Sequence, residues 1–348
     1  MTLRKLFNIS NVLILIAIIL FLEILMRLRG PNAYEIQFIR PFETNFQYDS
    51  HFGWIGKPNY SMEMEYFGTL NFDDRGFPIV PDVKNDKVKN DEKILFIARC
   101  DIYGGPMLGP EKGFMGLLAR EIGDRVDFDV MGVGGYSFYQ EYLVNQKYNS
   151  GGYNQVIVSF CPFLDLYLNT QLYMHGFGNR LVPHPKKSGD KITHTPVPYV
   201  KSYWEDELPK SKRFSLKEKI FLKSYLLSKI INKVIEKRSF DIDLTKFISK
   251  EFKKDVESKG GKLVFLIFNW CPDTPEPQLT KITDEFIAWL VQNNIDCIDL
   301  REKLIGKSLA KMGDPTHVSV DGQKIMKEEI LLYLNKTGFL VDTGGGSL

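Results

Sequence analysis

Residues 94–105 read Ile94-Leu95-Phe96-Ile97-Ala98-Arg99-Cys100-Asp101-Ile102-Tyr103-Gly104-Gly105. Five apolar residues stand in a row, after the polar linker 81–93 and before two glycines. That pattern predicts a short strand buried on both faces of a parallel sheet. Working outward, the same alternation recurs. A helix is expected near 113–122, a strand at 126–133, a helix at 136–148 and a strand at 155–160. Later come strands at 262–268 and 296–300, a helix around 280–293 and a closing helix at 320–334. Strands alternating with helices predict a doubly wound α/β domain, whose site lies at the carboxyl ends of the strands.

Composition narrows the function classes. The 348 residues carry 45 basic and 43 acidic side chains, a net charge of +2, which argues against a nucleic-acid partner. The four cysteines, Cys100, Cys161, Cys271 and Cys297, include no CxxC pair, so neither a disulfide framework nor a metal site is expected. Gly104-Gly105 and the glycines at 132–135 match neither GxGxxG nor the Walker pattern, and no cofactor is expected. They read as turns that bring backbone close to the site.

Outside the α/β pattern, residues 6–28 are long and apolar enough to cross a hydrocarbon layer roughly 30 Å thick. No small-x-small cleavage site follows, so 1–30 is expected to be a retained membrane anchor. Basic residues flank it on both sides, and charge alone sets no orientation. Residues 31–90 read as a β-rich preamble and linker. Residues 166–255 read as an insertion whose second half, 215–238, is a basic amphipathic helix. Such a helix fits a solvated face packed on the domain, or contact with anionic headgroups or a membrane partner. The α/β domain is assigned to 91–165 and 256–338, and 339–348 to a flexible tail.

Four blocks at strand ends could carry chemistry. They are Ala98-Arg99-Cys100-Asp101-Ile102-Tyr103-Gly104, Met131-Gly132-Val133-Gly134-Gly135-Tyr136-Ser137, Phe160-Cys161-Pro162-Phe163-Leu164-Asp165 and Asp314-Pro315-Thr316-His317. Their order resembles the SGNH/GDSL hydrolases, with GDSxTxG, NxGxxGxS, GxND and DxxH after successive strands. Gly53-Trp54, Lys57-Pro58-Asn59 and Arg75-Gly76-Phe77 further resemble the preamble of membrane-anchored and periplasmic members linked to O-acylation of envelope polysaccharides. The resemblance spans about residues 50–335 without the insertion. It implies a flavodoxin-like, SGNH-type sheet with helices on both faces. It also implies a cytoplasmic N-terminus and a domain outside the cell membrane.

Carried over residue by residue, the resemblance puts Cys100 where the family has its nucleophilic serine. Gly132 falls at the oxyanion-hole glycine, and Asp314 and His317 at the intact relay. Leu164 replaces the oxyanion-hole asparagine, and Ala98-Arg99 replaces Gly-Asp. Independently of family, i,i+3 spacing lets Asp314 fix the tautomer of His317 and leave the other nitrogen for a nucleophile. A thiol at the start of a loop leading to a helix, beside Arg99, is a candidate nucleophile. The plainer reading makes Cys100 a small buried hydrophobe and His317 a hydrogen-bonded structural residue. Two functions remain open. One is a degenerate, membrane-anchored binding or scaffold component holding an envelope glycan or membrane-protein partner, which the altered blocks favour. The other is an active acyl-ester hydrolase or O-acyltransferase using Cys100, His317 and Asp314.

Overall fold

A computed structural model describes residues 14, 17–22, 46–66, 68–80, 92–168, 173–174, 180–183, 185–194, 197, 241–269, 271–274 and 277–340. The chain divides into two units. One comprises Met1–Phe42, Met174–Arg180 and Tyr199–Ser239, the other Glu43–Tyr173, Leu181–Pro198 and Phe240–Leu348. In the first, the described residues at 17–22 are helical and exposed. Among the described residues no helix is long and apolar enough to cross a membrane. Most of the 6–28 stretch and all of 215–238 lie outside them.

The second unit opens with four short strands in two antiparallel hairpins: β1 (Phe46–Asp49) with β2 (Gly53–Gly56), and β3 (Ser61–Met64) with β4 (Gly68–Asn71). Next comes β5 (Lys93–Ala98), then a 3₁₀ turn at Cys100–Tyr103 and the short helix α1 (Gly105–Leu108). Helix α2 (Phe114–Ile122), strand β6 (Asp127–Gly132), helix α3 (Phe138–Tyr148), strand β7 (Gln155–Phe160) and helix α4 (Pro162–Leu168) follow. A hairpin, β8 (Pro185–Ser188) with β9 (Lys191–His194), precedes α5 (Ile242–Ser258), β10 (Lys262–Ile267), α6 (Pro277–Gln292) and β11 (Asp296–Asp299). The chain closes with β12 (Ser308–Leu309), β13 (Asp314–Val318) and α7 (Val320–Lys336).

The central sheet is parallel and ordered β11-β10-β7-β5-β6. Numbered along the chain, this is the flavodoxin-like order 2-1-3-4-5, with its switch point beside β5. The 94–98 run is therefore a strand with neighbours on both sides, and all five residues are buried. Side chains alternate across it. Ile94, Phe96 and Ala98 enter a cluster with Phe114 and Leu118 of α2 and Met326 and Ile330 of α7. The opposite face is an aromatic layer, where Phe138 of α3 lies 5.8 Å from Phe252 of α5 and 5.3 Å from Phe265 of β10.

Helix α5 is an element that no expectation included. It begins inside the stretch read as insertion, and Thr245, Ile248, Ser249, Phe252 and Val256 form its buried stripe. Two of those five are small and polar, which mutes the apolar period. Their hydroxyls are absorbed locally, Thr245 and Ser249 each donating to the carbonyl four residues earlier.

The preamble is not a free-standing piece. Fully buried Trp54 donates from Nε1 to the Gly134 carbonyl at 3.3 Å, Tyr136 donates its hydroxyl to the Trp54 carbonyl, and Gln140 Nε2 reaches the Phe52 carbonyl at 2.7 Å. Arg75 grips Asp129 of β6 with both terminal nitrogens, at 3.0 and 2.8 Å. Asp129 also accepts from the Tyr153 hydroxyl at 2.7 Å.

Candidate active site

The nucleophile candidate leaves β5 through a turn that its own sequence dictates. Arg99 is extended, the Ile102 N–H closes on the Arg99 carbonyl at 3.3 Å, and Gly104 ends the turn with φ +76°, a left-handed value suited to glycine. Cys100 belongs to the same buried cluster as Ala98, on the face covered by α2 and α7. His317 comes from β13, immediately before α7, and Ser319 caps that helix by accepting from the Gly322 N–H. Both residues are nearly buried, at 5% and 7% exposure.

These elements bring Cys100, His317 and Asp314 together. Cys100 Sγ lies 3.2 Å from His317 Nε2, across 217 residues of chain, and His317 Nδ1 lies 2.6 Å from Asp314 Oδ2. Asp314 Oδ1 accepts from the Thr316 hydroxyl at 2.5 Å and from the backbone N–H groups of Thr316 and His317 at 2.9 and 3.2 Å. Both carboxylate oxygens are thus occupied, and the imidazole has one orientation available. Thr316 was not among the expected site residues, because its hydroxyl acts only through the turn that the DxxH string makes.

Gly105 has a stricter role than the turn glycine expected. Its φ is +70°, and a Cβ added there would fall 2.6 Å from His317 Cδ2 and 2.9 Å from Cγ. The backbone of the nucleophile loop therefore lies directly against the imidazole. Gly132 ends β6 opposite Ala98, and a Cβ there would stand 2.9 Å from the Ala98 carbonyl and from Ile102 Cγ2. This backbone reaches the nucleophile turn only because the side chain is a hydrogen. Leu164 is buried and offers no side-chain hydrogen-bond donor.

Electrostatics favour a proton on His317. Burial opposes the charged ring, but the Cys100 sulfur and the Asp314 carboxylate outweigh it and push the imidazole up to about 11. For Asp314, burial raises the carboxyl, yet the hydrogen bonds from His317 and Thr316 prevail and hold it well below the ordinary range.

Arg99 behaves otherwise than its place beside the thiol led us to expect. The period-two alternation sends its side chain to the opposite face of the sheet. There it is fully buried, and Nη1 donates to both oxygens of Asp165 at 2.7 and 2.8 Å. Burial disfavours its charge, but Asp165 and Glu141 more than compensate and raise the guanidinium well above its usual value. Glu141 is buried and accepts from Ser159 Oγ at 3.1 Å, and desolvation pushes its carboxyl well above the ordinary range. Cys161 is fully buried, and that burial drives its thiol up, so it is a packing residue. Among the described residues no group of three or more His, Cys, Asp or Glu could hold a metal ion.

No protein-family model and no curated protein matches the chain. It is similar to solved structures of hydrolases. A GDSL-like lipase from Bacteroides thetaiotaomicron aligns at TM-score 0.38 and 10% identity, over 73% of this chain and 93% of that one. An acetylxylan esterase from Geobacillus stearothermophilus, solved as a catalytic mutant, aligns at 0.40 and 10% over 72% and 95%. A psychrotrophic esterase from Pseudoalteromonas aligns at 0.40 and 12% over 71% and 98%.

Proposed function

We propose that this chain is a cysteine-dependent acyl-transfer enzyme, a hydrolase or O-acyltransferase acting on acyl esters. The observation that carries the reading is the continuous relay Sγ–Nε2, Nδ1–Oδ2 among Cys100, His317 and Asp314. A buried cysteine serving only as a small hydrophobe has no need of an oriented imidazole at 3.2 Å, nor that imidazole of a carboxylate fixed by three further donors. With Nε2 3.2 Å from Sγ, the ring is placed to take the thiol proton as the sulfur attacks.

The steps follow from that geometry. Sγ attacks the ester carbonyl carbon, and a C–S bond forms as the carbonyl becomes an oxyanion. Collapse expels the alkoxide, which takes the proton from His317 Nε2 and leaves a thioester on Cys100. Water, or an acceptor hydroxyl, then attacks the thioester and gives its proton to Nε2. The thioester breaks, releasing acid or new ester, and the proton returns to the pair. Asp314 holds the ring and stabilises its charge throughout. Backbone near Gly132 and the Cys100 turn is the source of oxyanion donors. Because Leu164 supplies none, the rate falls below that of a fully furnished hole by about 10²–10³.

The anchor expected at 6–28 and the preamble resemblance support an envelope setting, with the domain outside the membrane and a glycan or lipid-linked acyl ester as substrate. Leu164 favours the second reading, a degenerate scaffold that binds such a glycan or a membrane partner. Intact-mass analysis after incubation with an activated acyl ester separates them. An adduct that appears on wild-type Cys100, is hydroxylamine-labile and is absent from Cys100→Ala supports the enzyme. A wild-type protein that binds acylated glycan yet never acquires the adduct leaves the scaffold.

A further inference from the structure

On the far side of the nucleophile loop from His317 lies a buried group of charges that the acyl-transfer steps do not use. Asp165 sits at its centre. It takes Nη1 of Arg99 from the loop after β5, the Phe138 N–H at 2.8 Å from the first turn of α3 where the loop after β6 ends, and the Cys161 N–H at 2.6 Å from the loop after β7. The first of these leads directly into Cys100. Arg99 and Asp165 are both 0% exposed, so no substrate touches them. Among the described residues Arg99 Nε and Nη2 make no hydrogen bond, and Asp101 Oδ2 stands 3.7 Å from Nε. Among the described residues the hydrogen bonds of the guanidinium go to Asp165, with Asp101 as a longer ion pair. In turn the Arg99 carbonyl closes the 3₁₀ turn by accepting from Ile102, so a shift of the side chain pulls directly on the peptide that carries Cys100.

We propose that the Arg99–Asp165 ion pair is a positioning device for Cys100, locking three strand-end loops so that the sulfur stands within reach of His317 Nε2. This rests on the acyl-transfer reading for its purpose but not for its measurement. A buried ion pair is a poor source of stability, since apolar replacement of both partners is often neutral. What such a pair supplies here is connection: one nitrogen of Arg99 reaches both oxygens of Asp165, and the same two oxygens hold the Phe138 and Cys161 N–H groups.

The test compares wild type with Arg99→Met/Asp165→Asn, which removes both charges and keeps one of the two oxygens that accept from the Phe138 and Cys161 N–H groups, and with Arg99→Lys. Near-ultraviolet circular dichroism reports folding. Crystal structures give the Sγ–Nε2 separation, ring-proton NMR follows His317, and iodoacetamide measures Cys100 reactivity against pH. In a folded double variant, the separation should open beyond hydrogen-bond reach, the His317 titration should fall toward its ordinary value, and neutral-pH alkylation should drop about ten- to hundredfold. Arg99→Lys should fall between. A folded double variant with unchanged separation, titration and alkylation overturns the proposal. If the double variant does not fold, the same three readouts on Arg99→Lys decide, and wild-type values there overturn it equally. Should the variants behave as expected while wild type forms no acyl adduct, the positioning device stands and the acyl-transfer reading falls.

Discussion

Consider Gly105→Ala. The added methyl would arrive 2.6 Å from His317 Cδ2, whereas ordinary carbon contact begins near 3.4 Å, so ring or loop must yield by roughly 0.8 Å. Sγ and Nε2 lie on the two bodies being pushed apart, and an opening of that size takes their 3.2 Å contact to about 4 Å, the outer reach of a hydrogen bond to sulfur. A misplacement of about 1 Å costs on the order of 10² in rate. The φ of +70° adds a backbone penalty of ~1–2 kcal/mol for a residue with a Cβ. The variant should therefore fold with a modestly lower melting temperature, while acyl transfer falls about a hundredfold. Its alkylation profile against pH should move toward that of His317→Ala. Stopped-flow alkylation and calorimetry on the same sample measure both. A folded Gly105→Ala protein with wild-type acylation and alkylation would refute the claim that this glycine sets the imidazole's place.

Three further outcomes are expected. His317 titrates near 11 against an ordinary 6.5, so its contribution to stability is complete below the ordinary value and is lost as pH rises toward 11; the stability gap between wild type and His317→Gln should narrow from neutral to alkaline pH, and a constant gap counts against the ion pair. Arg75→Ala, which cuts the two-pronged grip on Asp129, should cost about 1–2 kcal/mol by urea denaturation; a cost near zero would mean that the preamble is held by its aromatic residues alone. His51 and His194 face each other with ring centroids 5.0 Å apart, and Tyr139 bonds the second. Burial lowers both below 6.5, so the stability they lend is present above that value and lost as pH falls; amide exchange at Lys191–His194 should quicken in mild acid, and His51→Gln should blunt the change.

The parts of this structure legible from sequence were those encoded by runs and spacing. Ile94 to Ala98 announced a doubly buried strand because a continuous apolar run has few other uses. The Asp314–His317 spacing announced a relay because three residues of turn suffice to join carboxylate and ring. What stayed hidden was decided by which way a side chain points. Arg99 stands next to the thiol in the chain and on the other face of the sheet in space, so adjacency misled where alternation governed. Helix α5 escaped because Thr245 and Ser249 sit in its buried stripe, polar by composition but satisfied by their own backbone. Thr316 and Gly105 became visible only once the loop from β5 lay against His317.

The distance along the chain between sulfur and imidazole, 217 residues, has a meaning for biosynthesis. At about 5–20 residues per second, the ribosome needs roughly 10–40 seconds after making Cys100 to deliver its base. Even then β13 and α7 must dock before Nε2 arrives. Throughout that interval no imidazole stands beside the sulfur. Under the proposed acyl-transfer reading, activation of Cys100 is thereby conditional on a finished and folded carboxyl-terminal segment, and a chain broken off early lacks its base.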